Sequence, residues 1–113
     1  MERQENTERG LLLRRQAVQL ATEMLAYDDE RLVIGCQQMM GLLWELVETR
    51  EKPFVGFLAV SSETDDLPLT VDPELLDAAY RERCVARARK YGAQVKEPIH
   101  KACRELIRLW ADA

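Results

Sequence analysis

The side chains best suited to chemistry are six consecutive polar residues, Ser61 to Asp66, which follow an apolar run. Glu63, Asp65 and Asp66 supply carboxylate oxygens of the kind that hold divalent cations. The cluster lacks the glycine and the later glutamate of an EF-hand loop. Hydroxyl and carboxylate side chains also bond nearby backbone amides in ordinary turns. We therefore favour a structural loop, followed by a partner-binding loop, over a metal site.

Recognition of a partner through this acidic loop would use five residues: Ser62, Glu63, Thr64, Asp65 and Asp66. The competing hypothesis is a small enzyme or ligand-binding bundle that uses the carboxylates at 63–66. A deep polar pocket under residues 61–66 would favour the ligand-binding hypothesis, and a flat acidic ridge would favour the partner.

A second candidate is Glu97 with His100, which matches the Glu-x-x-His ligand motif of di-iron helical bundles. Such a site needs two of these motifs, and the chain has one histidine. His100 and Cys103 would share a helix face, but no third group to orient them and no oxyanion hole are evident. We predict no metal, no cofactor and no catalytic residue, so the sequence favours a non-catalytic protein.

Charge is distributed unevenly along the chain, whose net charge is -4. Residues 28–74 hold eleven acids and three bases, whereas residues 75–113 hold five acids and nine bases. Seven polar residues of the second region recur at helical spacing and form a basic stripe: Arg83, Arg87, Lys90, Gln94, Lys101, Arg104 and Arg108. The stripe would track a phosphate backbone, but it lacks interleaved aromatic residues, and an acidic chain repels phosphate. A solvated or acid-paired face is therefore the favoured interpretation, and nucleic acid is not a predicted partner.

Two amphipathic helices are predicted in the first half of the chain. Thr7 is a suitable N-cap, and apolar residues then recur every three or four positions to an end near Tyr27. Asp28 and Asp29 offer a cap for the second helix, where acids suit the positive N-terminal end. Apolar residues occupy almost the whole circumference of that helix between Leu32 and Val47, which predicts the central helix of the fold.

Residues 54–71 lack an evident helical pattern. Phe54 to Val60 is rich in β-favouring residues, and Leu67, Leu69 and Val71 alternate with other residues. The pattern predicts a hairpin or, equally, an extended connection laid over the helices.

The last helical region begins at the strong start signal Asp72-Pro73-Glu74. A long apolar stripe follows and keeps its phase past Gly92 and Pro98: Leu76, Tyr80, Cys84, Ala88, Tyr91, Val95, Ile99, Cys103, Leu106 and Trp110. A straight helix over this region would measure ~58 Å, longer than a compact domain of this size. Two alternatives remain open, one long helix covered by a second copy or a path that breaks near Gly92.

The predicted fold class is mainly α: one domain over residues 1–113, a small bundle of three or four helices with the insertion near residues 54–71. The three cysteines are odd in number and widely spaced, which indicates a reducing compartment. The N-terminal residues lack the apolar core of a signal peptide, and the longest uncharged run in the first half is too short to span a bilayer. We therefore predict a cytoplasmic protein.

Four short motifs together resemble a family of small bacterial helical proteins of uncharacterised activity. They are Met-Leu around residue 24, Ile-Gly-Cys at 34–36, Ser-Glu-Thr-Asp-Asp-Leu-Pro at 62–68, and Tyr-x-x-x-Val from residue 91 followed by Ala-Cys-Arg-Glu-Leu-Ile at 102–107. In such proteins a similar S-E-T-D-x-x-P segment separates two helical halves. The resemblance covers most of the chain from residue 20, and it implies a helical fold and a bacterial source but no activity.

These observations predict a non-catalytic protein-interaction or regulatory module, of the kind that immunity proteins and antitoxins represent. That last step rests on analogy between small acidic helical chains. A homodimer through the C-terminal helix is expected, because the apolar line from Leu76 to Trp110 is longer than one compact domain covers.

Overall fold

The computed structural model describes residues 7–69 and 72–111, and these residues form four α-helices and one short 3-10 turn. The helices are α1 (Glu8–Met24), α2 (Asp29–Leu43), α3 (Val55–Glu63) and α4 (Ala78–Trp110), and the 3-10 turn is Pro73–Leu75. The predicted mainly α-helical bundle is therefore confirmed.

Both predicted N-caps in the first half are confirmed. Thr7 Oγ1 accepts a hydrogen bond from the Gly10 N–H at 3.0 Å, and Asp28 Oδ1 accepts one from the Arg31 N–H at 2.8 Å. Each cap satisfies a backbone donor that the helix itself cannot pair, a contribution of about 1 kcal/mol. α1 ends at Met24, slightly before the predicted end at Tyr27.

α2 is the central helix, as predicted, because it contacts α1, α3 and α4. Its buried residues cover much of its circumference: Leu32, Val33, Gly35, Cys36, Met39, Met40 and Leu43. The helix is shorter than its apolar pattern, since it ends at Leu43 and the chain then turns. Leu46 lies in that turn, is fully buried and belongs to the main hydrophobic core.

The expectation of β-structure or an extended connection from Phe54 to Val60 is wrong, because Val55–Glu63 is α3. Phe54, Phe57, Val60 and Thr64 are buried, and their spacing of three and four residues is helical. β-favouring side chains adopt a helix here because tertiary packing outweighs intrinsic propensity. Residues 64–69 are the described non-helical part of the predicted insertion, and Thr70 and Val71 lie outside the described residues.

α4 is one continuous helix of 33 residues that includes both Gly92 and Pro98. At 1.5 Å per residue it measures ~50 Å, close to the 46 Å longest dimension of the molecule. Of the two alternatives left open by the sequence, the break near Gly92 does not occur and the single long helix is confirmed. The start signal at Asp72 produces the 3-10 turn, and Asp77 is the actual N-cap of α4, its carboxylate accepting from the Tyr80 N–H at 3.2 Å.

The centre of α4 packs against the first turn of α2 at very short range. A Cβ added at Gly92 would lie 2.6 Å from the carbonyl carbon of Asp29, a main-chain atom. Ion pairs flank this approach on both sides, Arg89 to Glu30 at 3.4 Å and Lys96 to Asp29 at 3.9 Å. The glycine therefore permits the two helices to meet, and the charges hold the acidic end of α2 against the basic α4.

The apolar stripe of α4 is covered mainly within the chain. From Cys84 to Trp110 its members are buried or half-buried, whereas Tyr80 is exposed near the start of the helix. α1 and α2 cover most of the stripe, and Leu67 packs with Cys84 and Ala88 in a small second cluster. The length of the stripe therefore supplies no reason for a second copy to cover it.

Candidate functional site

The predicted polar loop is in fact the end of α3 and the turn after it. Ser61, Ser62 and Glu63 form the last turn of the helix, and Thr64 is its C-cap. Asp65 and Asp66 follow in a turn. The five residues expected to bind a partner thus lie at the junction between a helix and a connection.

Thr64 has a structural position among those five residues. Its side chain is 2% exposed, and its hydroxyl donates to the Val60 carbonyl at 2.7 Å. The amide of Gln37 donates to both Thr64 Oγ1 and the Thr64 carbonyl, each at 3.0 Å. Thr64 therefore ties the end of α3 to α2, and a partner would contact its neighbours instead.

Asp66 is bound to α4 by Arg87. The Arg87 Nη1 to Asp66 Oδ2 distance is 2.7 Å, and Arg87 Nη2 donates to the Glu63 carbonyl at 3.3 Å. The hydrogen bond from Arg87 lowers the pKa of the exposed Asp66 carboxyl. Arg87 thus holds the turn after α3 against α4.

Ser62, Glu63 and Asp65 remain exposed beside this contact. Four grooves are formed by described residues, and none of the four is lined by a residue of 61–66. Within residues 7–69 and 72–111 no group of three or more His, Cys, Asp or Glu side chains is arranged to hold a metal ion. The exposed carboxylates of Glu63, Asp65 and Asp66 therefore line none of these four grooves.

The Glu97, His100 and Cys103 candidates face different surroundings. Glu97 is exposed, His100 is half-buried and Cys103 is fully buried. His100 Nε2 is buried without a hydrogen-bond partner among the described residues. Burial raises the pKa of the Cys103 thiol to about 12, which keeps it protonated and unreactive near neutral pH.

An exposed tryptophan marks a surface that the sequence pattern did not identify. Trp44 caps the C-terminal end of α2 and is 71% exposed. It lines an open groove of about 350 Å³ with five other residues: Val47, Glu48, Thr49, Arg50 and Leu58. The sequence interpretation placed Trp44 on the apolar circumference of helix two, but Trp44 follows Gly41 by three residues, and Gly41 marks the exposed face.

The polar residues of this groove are already paired. Arg50 Nε lies 2.9 Å from Glu48 Oε1, and the Arg50 N–H also donates to that oxygen at 3.1 Å. The hydrogen bond that the Arg50 guanidinium donates to Glu48 raises the pKa of Arg50. The groove therefore offers an apolar floor, a tryptophan and a neutralised ion pair.

Comparison of the chain with protein-family models, with curated proteins and with solved structures found no match. The resemblance through the S-E-T-D-x-x-P segment and its implied bacterial source therefore stay predictions. In the described part of the chain, no helix has both the length and the apolar character that a bilayer crossing requires.

Proposed function

We propose that this protein is a non-catalytic protein-interaction module, and that Trp44 is the centre of its partner-binding surface. The observation that carries the proposal is the 71% exposure of the Trp44 side chain on an open, mostly apolar groove. Tryptophan is enriched at the energetic centres of protein interfaces, where a large ring is buried by the partner.

The surface continues along α3 from apolar to polar residues. Val55 is 37% exposed, and Leu58, which lines the groove, is half-buried. Ser62 follows Leu58 by four residues and therefore lies on the same helix face. An apolar centre with a polar edge is the arrangement that protein interfaces share.

The size of the expected effect follows from the area that Trp44 exposes. A tryptophan buries about 150–250 Å², so covering the exposed 71% at ~25 cal/mol per Å² contributes ~3–4 kcal/mol. Replacing Trp44 by alanine should therefore weaken binding by about 2–4 kcal/mol, which is about 30-fold or more.

The test is capture from a lysate of the source cells with the wild-type chain, Trp44→Ala and Leu12→Ala. Leu12 is a matched control, because it is 52% exposed and does not line the groove. A protein retained by wild type and Leu12→Ala but lost with Trp44→Ala is then purified, and its binary affinity is measured by calorimetry. Equal affinity for all three chains, or no direct binding, would refute the proposal.

A regulatory or inhibitory role of the immunity-protein or antitoxin kind belongs to the same proposal. Its support is the small, acidic and helical character of the chain. A homodimer through the C-terminal helix is a further part of the proposal.

A further inference from the structure

The outer face of α4 carries a line of cations that the chain leaves unpaired. Within the described residues, five members of the basic stripe form no salt bridge: Arg83, Lys90, Lys101, Arg104 and Arg108. All five are exposed, and they extend over ~38 Å of helix at 1.5 Å per residue. α1, α2 and α3 all contact α4, yet none of them neutralises this outer face.

An acidic segment lies at the opposite end of the same helix. It comprises Glu63, Asp65, Asp66, Asp72, Glu74 and Asp77, all exposed, and residues 53–80 contain no lysine or arginine. Asp66 is paired with Arg87, and Asp77 caps α4, so the segment is fixed at the N-terminal end of the helix. The three free cations nearest the C-terminal end are Lys101, Arg104 and Arg108.

Exposed leucines accompany the charges at both ends. Leu75 is 76% exposed in the 3-10 turn before α4, beside the acidic segment. Leu109 is 57% exposed in the last turn of α4, next to Arg108. Leu75 lies in a segment whose charged residues are all acidic, whereas the part of α4 that ends with Leu109 is basic on balance and includes Glu97 and Glu105 among its cations.

We propose that a second copy of this chain docks on the outer face of α4 in an antiparallel, two-fold arrangement. The acidic segment of each copy then lies against Lys101, Arg104 and Arg108 of the other, and Leu75 of each copy packs on Leu109 of the other. A two-fold contact repeats each complementary pair, so the acidic segment of each copy meets the C-terminal cations of the other in a closed dimer. This inference rests on the proposed function as a protein-interaction module, but it uses a surface that does not include Trp44.

A polyanion fits the same face less well. A nucleic acid lying along the stripe would meet Glu97 partway along the helix and the acidic segment at its N-terminal end. The chain as a whole is also negative, at -4. The acidic segment at the N-terminal end of α4 would repel the phosphates that the cations near the C-terminal end attract.

Charge reversal tests the surface. The wild-type chain should show a two-chain mass by light scattering at about 100 µM, where a ~10 µM dissociation constant leaves most chains paired. Raising the salt from about 50 mM to about 500 mM should weaken the dimer about tenfold or more, because exposed charges are screened. Lys101→Glu with Arg104→Glu and Arg108→Glu should be monomeric. The control variant Arg15→Glu with Arg31→Glu and Lys52→Glu changes the net charge equally on other exposed residues and should stay dimeric.

Cross-linking tests the antiparallel geometry. Leu75→Cys and Leu109→Cys are prepared as separate variants, since the three native cysteines are buried and give little background. Neither variant alone should form a covalent dimer under mild oxidation, whereas their mixture should form a disulfide-linked pair. A covalent dimer from one variant alone would mean a different arrangement and would overturn the proposal.

Failure of this proposal is distinguishable from failure of the proposed function. Trp44→Ala should leave the two-chain mass and the 75-to-109 cross-link unchanged. A monomeric wild-type chain at low salt overturns the dimer but not partner capture through Trp44. Binding of duplex DNA to the basic stripe, with no self-association of the chain, likewise overturns the dimer and favours nucleic acid as the partner.

Discussion

Replacing Gly92 by alanine should destabilise the protein, although the same change normally stabilises a helix. In a helix interior alanine is favoured over glycine by about 1 kcal/mol. At Gly92 the added Cβ would lie 2.6 Å from the Asp29 carbonyl carbon and 3.1 Å from its Cα. Both are main-chain atoms of the first turn of α2, so a side-chain rotation cannot relieve the contact.

The structure sets the expected magnitude. Overpacking of a close contact costs typically 1–3 kcal/mol, and here the helices would have to separate. Their separation would also lengthen the flanking ion pairs, Arg89 to Glu30 and Lys96 to Asp29. These pairs are partly exposed and contribute little, so after the gain in helix propensity we expect a net loss of up to about 2 kcal/mol relative to wild type, and of about 1–3 kcal/mol relative to an alanine substitution that meets no contact.

Gly41→Ala is the matched control, because it makes the same change in another helix. No atom lies within 4 Å of a Cβ added at Gly41, and the residue is exposed. We expect it to gain about 0.5–1 kcal/mol. Gly35→Ala is intermediate, since its Cβ would meet the flexible side chain of Met24 at 2.8 Å, which can move aside.

Urea unfolding followed by far-UV circular dichroism gives the free energy of each variant, provided that the slope with denaturant stays the same. The order of stability should be Gly41→Ala, wild type, then Gly92→Ala. A Gly92→Ala variant as stable as Gly41→Ala would show that α2 and α4 do not approach as described, and the packing derived for the centre of the bundle would be wrong.

Three further outcomes are expected. Leu43→Ala should cost about 2–5 kcal/mol because Leu43 is fully buried, whereas Leu12→Ala, at a half-exposed position, should change the unfolding free energy by less than about 0.5 kcal/mol. Thr64→Val should cost about 1–2 kcal/mol by the same urea assay, since it removes the hydroxyl that bonds the Val60 carbonyl at 2.7 Å. Burial raises the pKa of Cys103 to about 12, above the ~8.5 of an unfolded thiol, so the stability that this thiol contributes is complete below pH ~8.5 and falls by up to ~1.4 kcal/mol per pH unit as the pH rises towards 12. Burial also raises the pKa of the Cys36 thiol, which adds a fall of the same sign that remains when Cys103 is replaced. Cys103→Ala should make the combined fall shallower, and an unchanged slope would contradict the assigned cause.

The sequence predicted the helices of the bundle well where local chemistry is sufficient. Thr7 and Asp28 carry cap side chains in front of periodic apolar residues, and both make the expected hydrogen bonds. These signals act over three residues, so they need no knowledge of the remaining fold. The burial of α2 was predictable for a similar reason, because a helix that is apolar around most of its surface has to be covered.

The errors arose where distant contacts decide the structure. The segment after Phe54 forms a helix because Phe57, Val60 and Thr64 pack against other helices, and a short apolar run does not distinguish strand from helix by itself. The polarity of Thr64 hid its place in that pattern. Trp44 keeps helical backbone angles as the C-cap of α2 and shares an exposed face with Gly41, so its exposure depends on which neighbours cover α2, and the apolar pattern alone does not specify them.

The continuity of α4 explains why its outer charges stay unmatched. Arg87, Arg89 and Lys96 face the neighbouring helices and pair with Asp66, Glu30 and Asp29. The acidic segment and the three cations Lys101, Arg104 and Arg108 lie near opposite ends of a helix that measures ~50 Å, far beyond the ~10 Å range of screened charge interactions. A path that broke near Gly92 and folded back would have brought the two ends together within one chain. Because the helix is unbroken, the acidic segment and the C-terminal cations can meet only between two copies, and only an antiparallel pair brings opposite charges into contact at both ends.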